Sequence, residues 1–264
     1  MTTTQPHPTE IETAFQGWVD AQAVTQEHLA ITHDGRAERH PDLWMGTMAS
    51  PCPYMNCAVP LEALAPAAGA SAGAAGDVAA RLAAFFSAGE PALVWDRWGT
   101  ADLAQHGWSL MGHPPFMVRP PVDHIHWSAA GELHIVEVSD ARTVADFERT
   151  LIEAYPTPEL QPIVEGAVFD DRALGGPMRF FVGYHDGLPV ATSATTLAAG
   201  VNLVGLVSVR SELRGHGFGA AITEAASVAD PSLPATLVAS DLGRPVYERL
   251  GYTAYDRITL WYRS

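Results

Sequence analysis

The chain has 264 residues, of which 47% are hydrophobic and 17% are charged. This composition is apolar enough to form a core and argues against a disordered chain. The chain has thirty acidic and fifteen basic residues, all of the latter arginine, and its net charge is −15. So acidic a chain is unsuited to bind nucleic acid or an anionic membrane surface, since both require a basic face. The lack of lysine excludes Schiff-base and P-loop lysine chemistry.

Two cysteines, Cys52 and Cys57, are too few for a disulfide framework or for a zinc site made of cysteines alone. The first ten residues lack the basic and apolar regions of a signal peptide. No stretch of about 18 apolar residues indicates a membrane span. We therefore expect a soluble cytoplasmic protein with reduced thiols.

The first half of the chain is predicted to begin with a polar tail of ten residues and a helix over 11–32. An Ala/Gly-rich run, Ala65–Gly76, is typical of a flexible loop. The other predicted elements of this half are strands at Leu43–Met48, Tyr54–Val59 and Ala92–Trp95, helices at Val78–Phe86 and Leu103–Gln105, and a bent strand at Trp108–Val118 broken by Pro114 and Pro115.

In the second half, a helix is predicted at Ala141–Ala154, with Ser139 or Asp140 as its N-cap. Asp186-Gly187 lies between two strand patterns and predicts a two-residue type I′ hairpin. The order of elements predicts a mixed α/β sheet with an antiparallel middle and a parallel crossover. The other predicted elements are strands at His134–Val138, Met178–His185, Pro189–Leu197, Asn202–Val209, Ala235–Ala239 and Tyr252–Tyr262, and helices at Gly217–Val228 and Arg244–Leu250.

The segment after the strand that ends at Val209 carries the clearest chemical signal. Arg214, Gly215, Gly217 and Gly219 follow that strand and lead into a helix. Glycines let the backbone adopt unusual φ values and let a ligand approach closely. A helix N-terminus has unpaired N–H groups and a partial positive charge. Together these features predict a site for a phosphate or pyrophosphate group.

Two classes of ligand, a nicotinamide dinucleotide and acyl-CoA, are candidates for this loop. The run Gly215-x-Gly217-x-x-Ala220, with Asp241 after a later strand, satisfies a dinucleotide fingerprint. In that fingerprint, however, the turn follows its strand directly, whereas here Arg210–Leu213 intervenes and the preceding unit is a hairpin. The 23 residues after Asp241 are also too few to complete a doubly wound sheet. These features argue against a nicotinamide dinucleotide, and the other candidate ligand is acyl-CoA.

The run Arg214–Gly219 matches the R/Q-x-x-G-x-G/A signature of the GNAT family of N-acetyltransferases. Val207–Val209 resembles the fourth strand of that family. Ser240–Tyr252 resembles its closing motif, in which a tyrosine lies four residues before a glycine-aromatic pair. The resemblance is specific over residues 199–262 and reaches back to about residue 133.

The resemblance implies the GNAT fold and the direct transfer of an acetyl group from acetyl-CoA to an amine. The fourth and fifth strands of that fold part, and the pantetheine arm binds backbone groups between them. A strand-four N–H polarises the thioester carbonyl, and Tyr247 is the implied general acid that protonates the leaving thiolate. The residues implied for acetyl-CoA binding are Val207, Val209, Arg214, Gly215, His216, Gly217, Phe218, Gly219, Ala220 and Ser240, and no metal is implied.

The sequence departs from the family pattern in two places. Family members often have asparagine where Ser240 stands, although serine can still donate a hydrogen bond. The strand 202–209 carries no carboxylate, where a glutamate often serves as the base or positions water for it. Glu212, His185 and Asp186 are alternative bases, and bulk water reached through a water chain is another.

The amino-terminal half contains no R-x-x-G-x-G sequence and resembles the degenerate half of tandem GNAT proteins. We therefore predict a degenerate GNAT-like domain over 1–130, which walls the acceptor pocket, and a catalytic domain over 131–264. Pro120–Asp123 is the candidate boundary. The residues that carry the resemblance are Phe85-Phe86, Pro91–Trp95, Asp102-Leu103 and Gly107-Trp108.

The predicted activity is acetyl transfer to a small-molecule amine by a monomer or homodimer. Residues 1–138 carry a net charge of −10, which would suit a cationic amine through electrostatic steering and is equally a feature that favours solubility. A CoA-binding regulatory or scaffolding module without turnover is the main alternative. A GNAT-fold enzyme acting on a hydroxyl group or on a malonyl thioester is another.

Two further patterns have plainer interpretations. His124-x-His126 places two imidazoles on one strand face, but no third metal ligand is evident, so an exposed strand edge is favoured. Gly69-x-Ser71-x-Gly73 has the letters of a nucleophile elbow, which requires a strand before it and a helix after it. It lies within the Ala/Gly run, so we interpret it as a chance match.

Overall fold

The computed structural model describes residues 8–63, 73–99, 102–122, 132–155 and 157–264. The predicted polar tail, the Ala/Gly loop with Ser71, and the pair His124 and His126 lie wholly or partly outside these residues. The chain forms two compact units. Unit 1 comprises Met1–Ala21 and Pro115–Asp256, and unit 2 comprises Gln22–Pro114 and Arg257–Ser264.

The helices are α1 Pro8–Thr32, α2 Gly73–Phe85, α3 Ala141–Ala154, α4 Phe218–Ser227 and α5 Arg244–Arg249. The strands are β1 Arg36–Arg39, β2 Leu43–Thr47, β3 Asn56–Pro60, β4 Ala92–Asp96, β5 Ser109–Gly112, β6 Pro115–Arg119, β7 His134–Glu137, β8 Met178–His185, β9 Leu188–Ala198, β10 Val201–Val209, β11 Ala235–Val238, β12 Thr253–Arg257 and β13 Thr259–Arg263. The sequence patterns predicted most of these elements to within a few residues, and they missed β1.

Unit 1 is built on a seven-stranded sheet with the order β12-β6-β11-β10-β9-β8-β7. β7, β8, β9 and β10 pair antiparallel with their neighbours. β10 pairs in parallel with β11, and α4 connects these two strands along the chain. Phe180 on β8 contacts Phe147 of α3, whereas the next residue, Phe181, belongs to the core cluster of α4. Because successive strand residues face opposite sides of a sheet, α3 and α4 cover opposite faces.

Unit 2 is built on a six-stranded sheet with the order β1-β2-β3-β4-β13-β5. β1, β2 and β3 pair antiparallel, and β3 pairs with β4 in parallel through α2. Leu82 of α2 packs in a buried cluster with Trp108 and Trp261. The fold is therefore the predicted mixed α/β architecture, and it occurs twice.

The strands near Pro114 and Ile258 differ from the sequence prediction. The bent strand over Trp108–Val118 is two strands, of which β5 joins the sheet of unit 2 and β6 joins that of unit 1. The final strand over Tyr252–Tyr262 is likewise two strands, β12 in unit 1 and β13 in unit 2. The compact units thus differ from the predicted division into 1–130 and 131–264, because each sheet is completed by a strand from the other half of the sequence.

Two local predictions are confirmed by backbone geometry. Asp140 is the N-cap of α3, and it forms a capping box with Thr143. Asp186 and Gly187 have φ values of 50° and 78°, as a type I′ turn between β8 and β9 requires. Among the described residues, no helix is long and apolar enough to cross a membrane.

Candidate functional site

The sheet of unit 1 opens between β10 and β11. The two strands pair at two positions in the described chain, and the second of these is Leu203↔Thr236. Beyond Leu203, β10 continues to Val209 and remains paired with β9 on its other side. The side of β10 that faces β11 is therefore open over residues 204–209, and we call this opening the strand gap.

A β-bulge lies in the same stretch of β10. Gly205 pairs with Ala194 and Ser208 pairs with Thr192, so β10 contains one more residue than β9 between these positions. Leu206 in the bulge has a φ of 52°. This left-handed conformation costs a non-glycine residue roughly 1–2 kcal/mol, which neighbouring contacts must offset.

The hydrogen bonding of β10 to β9 indicates that the backbone groups of Val207 and Val209 are turned away from β9. The N–H of Arg210 donates to the carbonyl of Val190 on β9 at 3.0 Å. In an antiparallel ladder, alternate residues bond the same neighbouring strand. The residues between them therefore turn their N–H and C=O groups toward the other side, which is the side that has parted from β11. The fold thus presents these two predicted residues where an extended ligand could bind backbone.

The loop from β10 to α4 is shaped by two glycines in left-handed conformations. It forms a short 3-10 turn at Ser211–Leu213 and then passes through Gly215 and Gly217, whose φ values are 86° and 83°. Side chains rarely adopt such values. These two glycines are therefore required by backbone conformation, as the sequence predicted for this loop.

Gly217 is the N-cap of α4, and its carbonyl accepts the N–H of Ala221 at 3.1 Å. The preceding N–H groups, those of Phe218, Gly219 and Ala220, lie in the first helical turn, where no intrahelical acceptor exists. They add to the partial positive charge of the helix terminus. This is an arrangement that suits a phosphate group.

Three side chains of the loop make contacts within the fold itself. Arg214 donates through Nε to the carbonyl of Val209 and through Nη2 to that of Ala154, both at 3.2 Å. His216 is exposed, and its Nδ1 lies 3.1 Å from the carbonyl oxygen of Leu213. The ring of Phe218 is buried and packs in the hydrophobic core of unit 1. Arg214 therefore braces the loop against the end of β10 and the end of α3.

Tyr247 lies on α5, directly after the turn that follows β11. The Ser240 hydroxyl accepts the N–H of Gly243 at 3.1 Å, and its carbonyl accepts the N–H of Arg244 at 2.9 Å. A Cβ atom on Gly243 would lie 3.0 Å from Cε2 of Tyr247, so the tyrosine ring rests against this glycine. Ser240 thus stabilises the turn that leads into α5, and Gly243 leaves room for the Tyr247 ring.

Burial raises the pKa of Tyr247 to about 12, with a smaller contribution from Tyr155 at the end of α3. The phenol is therefore protonated at neutral pH, as a proton donor must be. Tyr247 packs against the same hydrophobic cluster as Val207, Val209 and Leu213. The strand end, the loop and α5 accordingly converge on one region of unit 1.

The three predicted alternative bases lie in two separate places. Glu212 is exposed in the 3-10 turn, and hydrogen bonds from its own backbone N–H and from Ser211 lower its carboxyl pKa, which makes it a weaker base. His185 and Asp186 lie at the β8–β9 turn, with Nε2 and Oδ2 3.6 Å apart. The Nδ1 atom of His185 lies 3.2 Å from the carbonyl oxygen of Glu132.

The sequence patterns did not indicate Leu206, Thr192 or Gly243 as site residues. No residue pattern marks a bulge in β10, because Leu206 is a residue type that rarely adopts positive φ. Gly243 could have been noticed as a glycine before a short helix. In the described part of the chain, no group of three or more His, Cys, Asp or Glu residues could hold a metal ion.

No protein-family model matches the sequence, and no curated protein matches it. Solved structures do resemble this one over nearly the whole chain. A GCN5-related N-acetyltransferase from Kribbella flavida is 20% identical, with a TM-score of 0.63, and the match covers 93% of this chain and 95% of that one. This likeness shows that the two proteins share a fold.

Two other solved structures support the same assignment. A GNAT-family protein from Novosphingobium aromaticivorans is 15% identical, with a TM-score of 0.59 and coverage of 94% and 96%. A conserved protein of unknown function from Staphylococcus epidermidis is 13% identical, with a TM-score of 0.58 and coverage of 87% and 94%. The predicted GNAT fold is therefore confirmed.

Proposed function

We propose that this protein is an acyl-CoA-dependent acyltransferase that moves an acetyl group from acetyl-CoA to an amine of a small molecule. The observation that carries the proposal is the convergence, in unit 1, of the strand gap, the α4 N-terminus and Tyr247. Each of these features suits a different part of the donor. The GNAT fold supports acyl transfer in general, and the residues support the finer assignment.

The binding residues are assigned by their chemistry. The N–H groups of Phe218, Gly219 and Ala220 would bind the pyrophosphate, because they are unpaired within the helix and lie at its positive end. The loop conformation that exposes them depends on Gly215 and Gly217. Val207 and Val209 would hydrogen-bond the pantetheine arm, which runs along the strand gap as an added strand would.

In the reaction, the amine nitrogen attacks the thioester carbon and the carbon–sulfur bond breaks. The N–H of Val207 would stabilise the negative charge that develops on the carbonyl oxygen. Tyr247 would donate its phenolic proton to the departing thiolate. The surplus proton of the amine passes to water. No covalent intermediate on the protein is required, since the thioester is already activated and the protein supplies proximity.

The acceptor is assigned by charge alone. The net charge of −15 favours a cationic amine through electrostatic steering. The main competing function is a CoA-binding regulatory module without turnover. The observation in its favour is that β10, residues 201–209, carries no carboxylate that could serve as the base.

Ligand binding is the first test. A thermal-shift titration compares acetyl-CoA with NAD on the full-length chain. A ligand at about 100 times its dissociation constant adds roughly 2.7 kcal/mol, and each kcal/mol raises the melting temperature of a chain of this size by about 2–4 °C. We expect a rise with acetyl-CoA and none with NAD. The absence of a rise with acetyl-CoA would refute the proposal.

Turnover is the second test. Tyr247→Phe should lower kcat by about 100-fold, the usual contribution of a general acid, while the dissociation constant of acetyl-CoA stays unchanged. Tyr262→Phe in unit 2 is the control and should behave as the wild type. Unchanged kcat in Tyr247→Phe would exclude that residue from the mechanism. Binding without CoA release on a panel of amines would favour the regulatory module.

A further inference from the structure

The bulge in β10 is held by one side chain of the neighbouring strand. Thr192 lies in the middle of β9 and is fully buried. Its hydroxyl donates to the carbonyl of Leu206 at 2.9 Å, and its Oγ1 lies 2.7 Å from Oγ of Ser208. A threonine hydroxyl has one hydrogen, which here is used on Leu206, so Ser208 is the donor in the second contact.

This contact fixes the orientation of one peptide plane. In a trans peptide, the C=O and the N–H point in opposite directions. The carbonyl of Leu206 is directed toward Thr192 on β9, so the N–H of Val207 in the same plane is directed away from β9. β10 lies between β9 and β11 in the sheet. The Val207 N–H therefore points away from the Thr192 hydroxyl, and the alternation counted back from Arg210 likewise turns it away from β9.

A neighbouring contact links β9 to α4. Ser193, the next residue of β9, donates from Oγ to the carbonyl of Ile222 in α4 at 2.6 Å. This hydrogen bond connects β9 to α4, whose N-terminus follows the loop 210–217 that we propose binds the pyrophosphate and call the phosphate loop. Leu206 holds a φ of 52° that an isolated leucine avoids, so its conformation depends on such contacts.

We propose that Thr192 is a positioning residue for the transfer reaction. Its hydroxyl holds the Leu206–Val207 peptide so that the Val207 N–H points at the position of the thioester carbonyl oxygen. This inference rests on the proposed function, which supplies the reacting thioester. Thr192 touches neither donor nor acceptor, and it acts through the backbone of β10.

Thr195 on the same strand provides a matched control. It is as deeply buried as Thr192, and its hydroxyl has no hydrogen-bond partner within the described residues. Thr192→Val and Thr195→Val make the same change of shape and polarity on one strand. Only Thr192→Val removes a bond that orients the bulge. Thr192→Ser keeps that hydroxyl and removes a methyl group.

The experiment measures kcat, the acetyl-CoA dissociation constant and the amide NMR signals of Val207 and Gly219 in the wild type and these three variants. We expect Thr192→Val to lower kcat by about 10-fold or more, since losing an oxyanion donor costs about 100-fold to 1,000-fold and reorientation is a partial loss. The dissociation constant should change by less than about threefold, because the phosphate loop is intact. Thr192→Ser and Thr195→Val should match the wild type.

The amide signals separate this inference from the proposed function. In the wild type, acetyl-CoA should shift both Val207 and Gly219, whereas in Thr192→Val only Gly219 should shift. A Val207 signal that shifts equally in Thr192→Val and the wild type would overturn the inference while leaving the function standing. An equal loss of kcat in Thr192→Val and Thr195→Val would also overturn it, since general packing would then be the cause. If no signal shifts in the wild type, the proposed function itself fails.

Discussion

In unit 1, three antiparallel strands (β8–β10) lead into α4 and the parallel strand β11, and in unit 2, β1–β3 lead in the same way into α2 and β4. Each sheet is then completed by a strand from the other half of the sequence, β6 in unit 1 and β13 in unit 2. The two units are therefore repeats of one architecture. Their differences show which local features make a candidate site out of it.

The strand that precedes the crossover helix is the first difference. β10 contains a bulge and runs on to Val209 after its last pair with β11, at Leu203. β3 pairs with β2 in unbroken register from Asn56 to Pro60, and it ends two residues after its last pair with β4, at Ala58. Unit 2 thus lacks, in its described residues, the long opened strand that forms the gap in unit 1.

The second difference lies in the turn before an edge strand, which is β12 in unit 1 and β5 in unit 2. In unit 1 the N–H of Tyr252 donates to the carbonyl of Tyr247 at 3.0 Å, and in unit 2 the N–H of Trp108 donates to that of Leu103 at 3.3 Å. Each turn contains a glycine with positive φ directly before the aromatic residue. The backbones therefore correspond, and a buried leucine stands where unit 1 has its phenol. The same turn carries a tyrosine in one unit and a core leucine in the other.

The largest expected effect concerns the ion pair of each unit. Arg119 and Glu224 are buried in unit 1, with 7% of each side chain exposed, whereas Arg81 and Asp42 of unit 2 are 23% and 31% exposed. Arg119→Met should destabilise the protein by about 3–5 kcal/mol, because it leaves a buried carboxylate unpaired. Arg81→Met should cost less than about 1 kcal/mol. Urea denaturation monitored by circular dichroism measures both.

The double variant Arg119→Met/Glu224→Met is the internal control for this prediction. Replacing both charges by apolar side chains removes the unpaired carboxylate, so most of the lost stability should return. Equal losses in the two single variants, one from each unit, would contradict the distinction between a buried and a half-exposed pair.

The next effect concerns one glycine with positive φ in each unit. Gly217 and Gly89 have φ values of 83° and 76°, and Gly89 lies in the turn between α2 and β4. Gly217→Val should weaken acetyl-CoA binding by about 100-fold, or roughly 2.7 kcal/mol, because a β-branched residue cannot hold the phosphate loop in this conformation. Calorimetric titration of both variants measures the difference. Gly89→Val imposes the same strain in the other unit and should bind acetyl-CoA normally, so weakened binding by both would indicate global damage.

The smallest expected effect concerns the phenol that distinguishes the two turns. Because burial raises the pKa of Tyr247 to about 12, its acid form persists at pH values where an exposed tyrosine would ionise. The rate of transfer should rise with pH as the acceptor amine loses its proton, and then stay level up to about pH 10.5. A steady-state pH profile tests this. A fall in rate centred near pH 10 would show that the phenol titrates at its ordinary value.

Much of unit 1 could be predicted from the sequence because its signals are local. Asp140 and Thr143 are three residues apart and form their capping box within one helical turn. Asp186-Gly187 fixes the β8–β9 turn through its own φ preferences. The backbone of the loop from β10 to α4 was predictable for the same reason, since its glycines have positive φ and a helix follows directly.

The strand exchange and the bulge could not be predicted in this way. The sequence around Pro114 is compatible with one bent strand, and only pairing partners far along the chain, β13 for β5 and β11 for β6, show that it is two. Leu206 has a positive φ, and its carbonyl accepts a hydrogen bond from Thr192 on another strand. Both features depend on contacts between segments that sequence patterns treat separately.

The sequence by itself determined the order of helices and strands, the glycine loop before α4 and the candidate Tyr247. Each of these depends on residues that are adjacent or helically spaced along the chain. Tertiary structure decided which strands complete each sheet, where β10 parts from β11, and which way the Val207 N–H points. The physical reason is that strand pairing and side-chain burial, such as that of Thr192, join residues that are distant in sequence. The free energy of these contacts exists only once the chain has folded.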